Sequence, residues 1–170
     1  MPLNTMKDLL YEQLNELHAA EKHSTGTLQK LMDAASSEEL ARHFRIHVEQ
    51  AKERQSRLEA IFEELKMKPG PTSRAESRGM KGLLDDCLKL ANMRKAEPHV
   101  RDAAIIAAAQ HVAHDEIAGY GCARTWADLL GHHDLASMLQ ASLTEAREAD
   151  EKLSRLAESL NKTALVAATA

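Results

Sequence analysis

Acidic side chains lie on the apolar faces of helices that this sequence predicts. Glu21 falls at the centre of one apolar stripe, and Glu116 holds the matching place on another. The first stripe is Leu10, Leu14, Leu17, Leu28 and Leu31, and the second is Ile105, Ala109, Val112, Ala123 and Trp126. An unpaired buried carboxylate is costly and tends to take up a proton instead. Two carboxylates at matching positions therefore call for a cation between them.

Further polar residues lie on or beside the inward faces of these helices and their neighbours. Carboxylate and imidazole groups converging from four helices are the ligands of a di-metal carboxylate site. The predicted metal ligands are Glu21, His47, Gln50, Glu116 and Glu145. The residues predicted to surround and support them are His18, His43, Arg54, Tyr120 and Asp150. We expect iron, as one ion or a pair, with manganese or zinc as alternatives, and the sequence assigns no catalytic residue.

A metal-free arrangement explains the same residues. Glu21 and Glu116 could pair with Arg54 or with a histidine in a buried polar network. His47 taken alone has the pattern of a core histidine, and Tyr120 could simply pack in the core. Both interpretations stay open at this level.

The elements that must position these residues are helices. The 170-residue chain has 28 Ala and 23 Leu, only 3% aromatic residues and few β-branched ones, which excludes a β-sandwich or barrel. Apolar periodicity predicts one domain over 1–170, with long helices over roughly 5–34, 37–67, 98–130 and 134–160 and a short one over 79–95. Ser36 or Ser37 should cap the second helix, and Pro69-Gly70-Pro71 should end it. Gly131 suits the end of the helix over 98–130.

The two halves of the chain resemble each other. Aligning Glu21 with Glu116 also places the loop near Ser36 on the loop near Gly131. The same alignment pairs Leu40 with Leu135, Ala51 with Ala146 and Leu58 with Leu153. The sequence therefore predicts an all-α four-helix bundle of two hairpins, joined by a long crossover over 68–97 that carries the short extra helix.

Charge and hydropathy exclude several partners. The formal net charge is −4, with no run of Lys and Arg, so we expect no nucleic-acid binding. We expect no membrane association, because no apolar run reaches the length of a span. The N-terminus lacks the apolar segment of a signal peptide, so we expect a cytoplasmic protein in which Cys87 and Cys122 stay reduced.

Several stretches resemble the YciE/YciF family of ferritin-like bacterial proteins, over roughly residues 5–160. They are Glu16–Lys22, Phe44–Gln50, Arg57–Glu63, Asp102–Gln110, His114–Gly121 and Ala149–Leu153. The resemblance implies a ferritin-like bundle, often a homodimer, with a candidate metal site between the helices and a link to bacterial stress responses. Its inward residues match this chain at Glu21, His47, Glu116, Glu145 and Asp150.

Two departures from the family pattern lower the ligand charge. Gln50 stands where the family has Glu, and Ala113 stands where it has another Glu. No Glu-x-x-His pair of the usual di-iron type is present on the second or fourth long helix. The departures predict weaker metal affinity or a reduced site.

Three hypotheses about function follow. The first is an iron-binding protein that oxidises ferrous iron or consumes peroxide under stress. The second is a metal-free, dimeric structural or stress-response protein with a buried charge network, favoured by the position of Arg54 near the site. The third is a helical adaptor that binds a partner protein through an exposed helix face, and the sequence does not indicate which partner.

Overall fold

The computed structural model describes residues 3–70 and 78–167, and the secondary structure of these residues is entirely helical and irregular. The helices are α1 (Met6–Ala34), α2 (Glu38–Glu64), α3 (Arg78–Ala91), α4 (Pro98–Leu129) and α5 (His133–Ala167). The predicted all-α, ferritin-like bundle of two hairpins is confirmed. Pro71 and the crossover residues 71–77 lie outside the described residues.

Three helix ends differ from the sequence prediction. α2 ends at Glu64, because Lys66 adopts a left-handed φ of 54° that a helix cannot continue. α3 stops at Ala91, where turn hydrogen bonds such as Met93 N–H to the Leu90 carbonyl replace the helical pattern. α5 continues to Ala167, beyond the predicted end at residue 160, and Ala164 in this extra stretch is buried.

Local signals fix the helix starts. Thr5 and Asp8 form a reciprocal capping box at α1, with Asp8 N–H donating to Thr5 Oγ1 at 3.1 Å and Thr5 N–H to Asp8 Oδ2 at 2.9 Å. Ser37 caps α2, as predicted. Glu97 caps α4, and Pro98 takes its first turn. These caps set where α1, α2 and α4 begin and therefore the height of the inward side chains on those helices.

The tight loop of the first hairpin is fastened to the start of the second. Asp102 on α4 is fully buried and accepts hydrogen bonds from the backbone N–H groups of Ser36 at 2.9 Å and Ser37 at 2.8 Å. Its neighbour Arg101 donates from Nη2 to the carbonyl of Ala34 at 2.8 Å. These bonds satisfy the free backbone groups at the α1–α2 turn and hold the two hairpins in register.

The bundle core consists of two apolar clusters with a polar layer between them. One cluster contains Phe44, Ile105 and Leu153, and the other contains Leu14, Phe62 and Leu139. On α1, α2 and α4, the chain passes from one cluster to the other through Glu21, Arg54 and Glu116 respectively. The polar layer is therefore a single level of the bundle, enclosed by apolar residues at both ends.

The crossover helix α3 covers the first cluster. It buries Met80, Leu84 and Cys87, and burial raises the pKa of the Cys87 thiol to about 11. Cys122 is exposed, and both cysteines are free thiols, as predicted. None of the helices in the described chain is long and apolar enough to cross a membrane.

Candidate functional site

Arg54 of α2 joins the two carboxylates that interrupt the core faces. Its Nε donates to Glu21 Oε1 at 2.6 Å, and its Nη2 donates to Glu21 Oε2 at 3.0 Å. The same Nη2 lies 3.4 Å from Glu116 Oε2. The first two bonds form a bidentate fork, which is the strongest geometry for an arginine and a carboxylate. All three side chains are almost completely buried.

Tyr120 completes the hydrogen bonding of Glu21. Its hydroxyl donates to Glu21 Oε1 at 2.7 Å, one turn along α4 from Glu116. Burial and the negative charge of Glu21 raise the pKa of Tyr120 well above its ordinary value, so this hydroxyl stays a donor. Glu21 therefore accepts three hydrogen bonds, all from groups on α2 and α4.

The protonation of the cluster follows from its burial. Burial raises the pKa of Glu116 to about 8, even though Arg54 opposes this shift. Burial alone would lower the pKa of Arg54, but the carboxylates of Glu116 and Glu21 outweigh it and raise that pKa. Arg54 and Glu21 thus form a buried ion pair, and burial favours the protonated form of the adjacent Glu116.

His47 and His43 lie one turn apart on α2, with ring centroids separated by 4.3 Å. Burial lowers the pKa of His43 to about 4, assisted by Lys152, and lowers that of His47 to about 3, assisted by His43 and Arg54. Both imidazoles are therefore neutral at neutral pH. Positive charges beside each ring also oppose the approach of a metal cation.

The two imidazoles line a surface groove of about 280 Å³ between α2 and α5. Gln50, another predicted ligand, lines the same groove. Its walls carry charges of both signs, including Arg42 and Lys152 as well as Glu39 and Glu148. His47 also borders the interior beside Arg54 and Glu116, so it separates the groove from the buried cluster.

The remaining predicted residues take other partners. Glu145 Oε1 accepts from Arg57 Nη2 at 2.8 Å, and Arg57 Nη1 also donates to Ser142 Oγ at 2.6 Å. Asp150 accepts from Gln110 Nε2 at 3.1 Å and lies 3.5 Å from His114.

His18 contacts Glu59, with His18 Nε2 3.4 Å from Glu59 Oε1. The structure thus brings Glu21, Arg54, Glu116 and Tyr120 into one hydrogen-bonded cluster, with His47 at its edge. Glu145, Asp150 and His18 make separate interactions.

The donor set does not fit a di-metal carboxylate centre. Within residues 3–70 and 78–167, no group of three or more His, Cys, Asp or Glu side chains is placed to hold a metal ion. The position between Glu21 and Glu116 is taken by a guanidinium. A metal there would have to displace Arg54 or lie beside a buried positive charge.

Two residues of this region were not among the predicted site residues. Arg57 is the next basic residue after Arg54 and was visible in the sequence. Its partner, Glu145, was not, because the contact depends on how far the side chain reaches toward another helix. Ser24 follows Glu21 by three residues on the same face of α1 and is fully buried. Its position on the apolar stripe was a usable signal, because a buried hydroxyl needs a partner.

Comparison with known proteins agrees with this architecture. The family described as "Domain of unknown function (DUF892)" matches residues 5–166. Protein YciF of Escherichia coli (strain K12) is 36% identical over 168 residues, covering 96% of this chain and 98% of YciF. The chain belongs to the YciE/YciF family.

Two solved structures of this kind superpose closely. A crystal structure described as the E. coli stress protein YciF has a TM-score of 0.87 and 34% identity, covering 94% of this chain and 98% of that one. YcfI from Rhodopseudomonas palustris, described as a putative structural protein, has a TM-score of 0.82 and 33% identity. That match covers 89% of this chain and 94% of YcfI.

Proposed function

We propose that this chain is a non-enzymatic structural protein of the bacterial stress response, whose bundle is held together at its centre by a charge network instead of a metal ion. The observation that carries the proposal is the Arg54 fork. Arg54 donates to both oxygens of Glu21 and reaches Glu116 with the same nitrogen that completes the fork. The cation beside the two inward acidic residues is thus supplied by the chain itself, as Arg54.

The charge balance supports this proposal. Burial raises the pKa of Glu116, and the Arg54 guanidinium forms a bidentate pair with Glu21, so the buried cation has its partner within the chain. A divalent ion would add positive charge beside the buried Arg54 guanidinium. Gln50 and Ala113 supply no compensating negative charge, and Glu145 is engaged by Arg57.

The relatives point in the same direction. YcfI is described as a putative structural protein, and YciF is described as a stress protein. We extend both descriptions to this chain. A homodimer, implied by the family resemblance, is part of the proposal, and size-exclusion chromatography with light scattering tests it. A mass of twice 18.8 kDa is the expected result, and a mass of 18.8 kDa would contradict the dimer.

The competing function is iron binding with oxidation of ferrous iron or consumption of peroxide. It would require Arg54 to leave Glu21 and Glu116, so that their oxygens and His47 could coordinate the ion. It also predicts that Glu21 matters for metal content. The two functions therefore differ in a quantity that can be measured directly.

The test is metal loading of the untagged protein. Wild type, Glu21→Ala and a matched control with an exposed acid replaced, Glu49→Ala, are incubated with ferrous iron in air. Metal per chain and the absorption spectrum are then determined. We expect iron far below one ion per chain and no difference among the three proteins. Iron at one or two ions per chain in wild type and Glu49→Ala, lost in Glu21→Ala, would overturn the proposal.

A second measurement addresses activity. The rate of ferrous iron oxidation in air, and of peroxide consumption, is compared between buffer, wild type and Glu116→Ala. We expect all three rates to agree. A wild-type rate above buffer that falls in Glu116→Ala would establish an enzyme at this site.

A further inference from the structure

A small cavity lies beside the buried cluster, and Arg54 and Glu116 are among the residues that line it. Its volume is about 20 Å³. Its lining includes polar side chains from four helices: Ser24 and Thr27 of α1, His47 and Arg54 of α2, Cys87 of α3, and Glu116 of α4. Apolar residues such as Leu31, Val112 and Leu153 close the remaining walls.

Three polar atoms of these lining residues have no hydrogen-bond partner within the described residues. They are Ser24 Oγ, His47 Nε2 and Arg54 Nη1. All three residues are more than nine-tenths buried, with exposed fractions of 0% for Ser24, 8% for His47 and 1% for Arg54. Buried polar groups in native proteins are nearly always hydrogen-bonded. That three such atoms belong to residues around a single cavity points to one shared ligand.

We propose that this cavity is a binding site for one water molecule, held by Arg54 Nη1, Ser24 Oγ and His47 Nε2. A cavity needs a volume of about 10–15 Å³ to hold a water. The observed volume of about 20 Å³ is enough for one water and too small for two. Buried waters typically make about three hydrogen bonds, the number of unpaired atoms available here.

The donor and acceptor chemistry of the three groups also suits water. Arg54 Nη1 can only donate, so the ligand must accept from it. The Nε2 atom of a neutral His47 accepts in one tautomer and donates in the other, and a water can be the partner of either. The Ser24 hydroxyl can do either. Water accepts and donates at once, whereas a halide ion cannot donate and an ammonium ion cannot accept.

Charge disfavours a metal cation in this cavity, because the ion would lie against the Arg54 guanidinium. The apolar walls leave no space for a larger organic molecule. A water would give the guanidinium a partner on its third nitrogen and would connect the charge network to His47.

His47 gives the site an exit. It lines both this cavity and the groove between α2 and α5, whereas His43 lines the groove without reaching the cavity. Replacing His47 should therefore remove one of the water's partners, while the same replacement at His43 should leave the water in place. The two histidines form a matched pair on one helix.

The test is a high-resolution crystal structure of the wild-type protein, of His47→Leu and of His43→Leu. We expect a single ordered water within hydrogen-bond distance of Arg54 Nη1 and Ser24 Oγ in wild type and His43→Leu, and its loss in His47→Leu. Absence of density in the wild-type cavity would overturn the proposal. Anomalous scattering from a metal in the cavity would overturn it as well.

A solution measurement keeps the test independent of crystals and of the stability of the variants. In wild-type protein with ¹⁵N-labelled arginine, we expect a cross-relaxation signal between a long-lived water and the Arg54 guanidinium protons. The fully buried Arg54 has a matched control in the partly exposed Arg57, which should show contact only with fast-exchanging solvent. Identical water signals at both arginines would refute a bound internal water.

Discussion

Replacing Arg54 with Met removes the cation of the core and keeps a side chain of similar length. Glu21 would lose two of its three hydrogen bonds, and Glu116 would lose the guanidinium beside it. We expect a large loss of folding free energy, because a carboxylate would then be buried without its counter-charge.

The magnitude follows from the burial of the pair. Breaking a buried ion pair by removing one partner costs about 3–5 kcal/mol. Both the Arg54 and Glu21 side chains are 1% exposed, so solvent does not replace the lost partner and this range applies to them. For a domain of this size, each kcal/mol lowers the melting temperature by about 2–4 °C, which gives a decrease of about 6–20 °C.

Arg57→Met is the matched control. Arg57 is on the same helix and also pairs with a carboxylate, Glu145, but both side chains are 20% exposed and solvent can replace the partner. We expect a cost of about 1 kcal/mol for this change. Urea denaturation followed by circular dichroism at neutral pH measures both variants. Equal, small losses for Arg54→Met and Arg57→Met would refute the view that Arg54 organises the core.

Three further predictions concern the same region. Tyr120→Phe removes the 2.7 Å hydrogen bond to Glu21 and should destabilise the fold by about 1.5–3 kcal/mol in urea denaturation, whereas an unchanged midpoint would contradict this bond. Because the pKa of Glu116 is raised from 4.5 to about 8, the unfolded chain binds fewer protons between these values and wild-type stability should fall as pH rises. Glu116→Gln should lose that fall, a slope of up to about 1.4 kcal/mol per pH unit, and equal slopes would argue against a protonated Glu116. The pKa of His43 is lowered from 6.5 to about 4, so its contribution to stability is lost as pH decreases through this window. His43→Gln should be less sensitive to acid than wild type, and denaturation at a series of pH values checks this.

Most of the fold could be predicted from the sequence, because the signals are local. Apolar periodicity gave the helices, and Ser37, Pro98 and Gly131 marked their ends. The extension of α5 was missed, because it depends on the burial of Ala164 against the rest of the bundle. That contact has no local signal in the sequence.

The site was less predictable, because helical phase gives the direction of a side chain and not its reach. Phase placed Glu21 and Glu116 in the core, and the structure agrees. It also placed Arg54 only near the inward face, yet the long side chain extends to the centre and meets both carboxylates. For Glu145, phase could not show that its carboxylate pairs with Arg57 instead of joining Glu21 and Glu116.

The hydrogen bonds between Asp102 and the α1–α2 turn restrict how the two hairpins can align along the bundle axis. The two bonds from Ser36 and Ser37 to Asp102 join positions more than sixty residues apart, as does the bond between Arg101 and Ala34. If one hairpin shifted along the other by one helical turn, the fully buried carboxylate of Asp102 would lose its hydrogen-bond donors. The same shift would separate Arg54 from Glu116 on the other hairpin. The two polar contacts lie at different heights along the bundle. They therefore select one axial alignment of the hairpins, since only that alignment satisfies both.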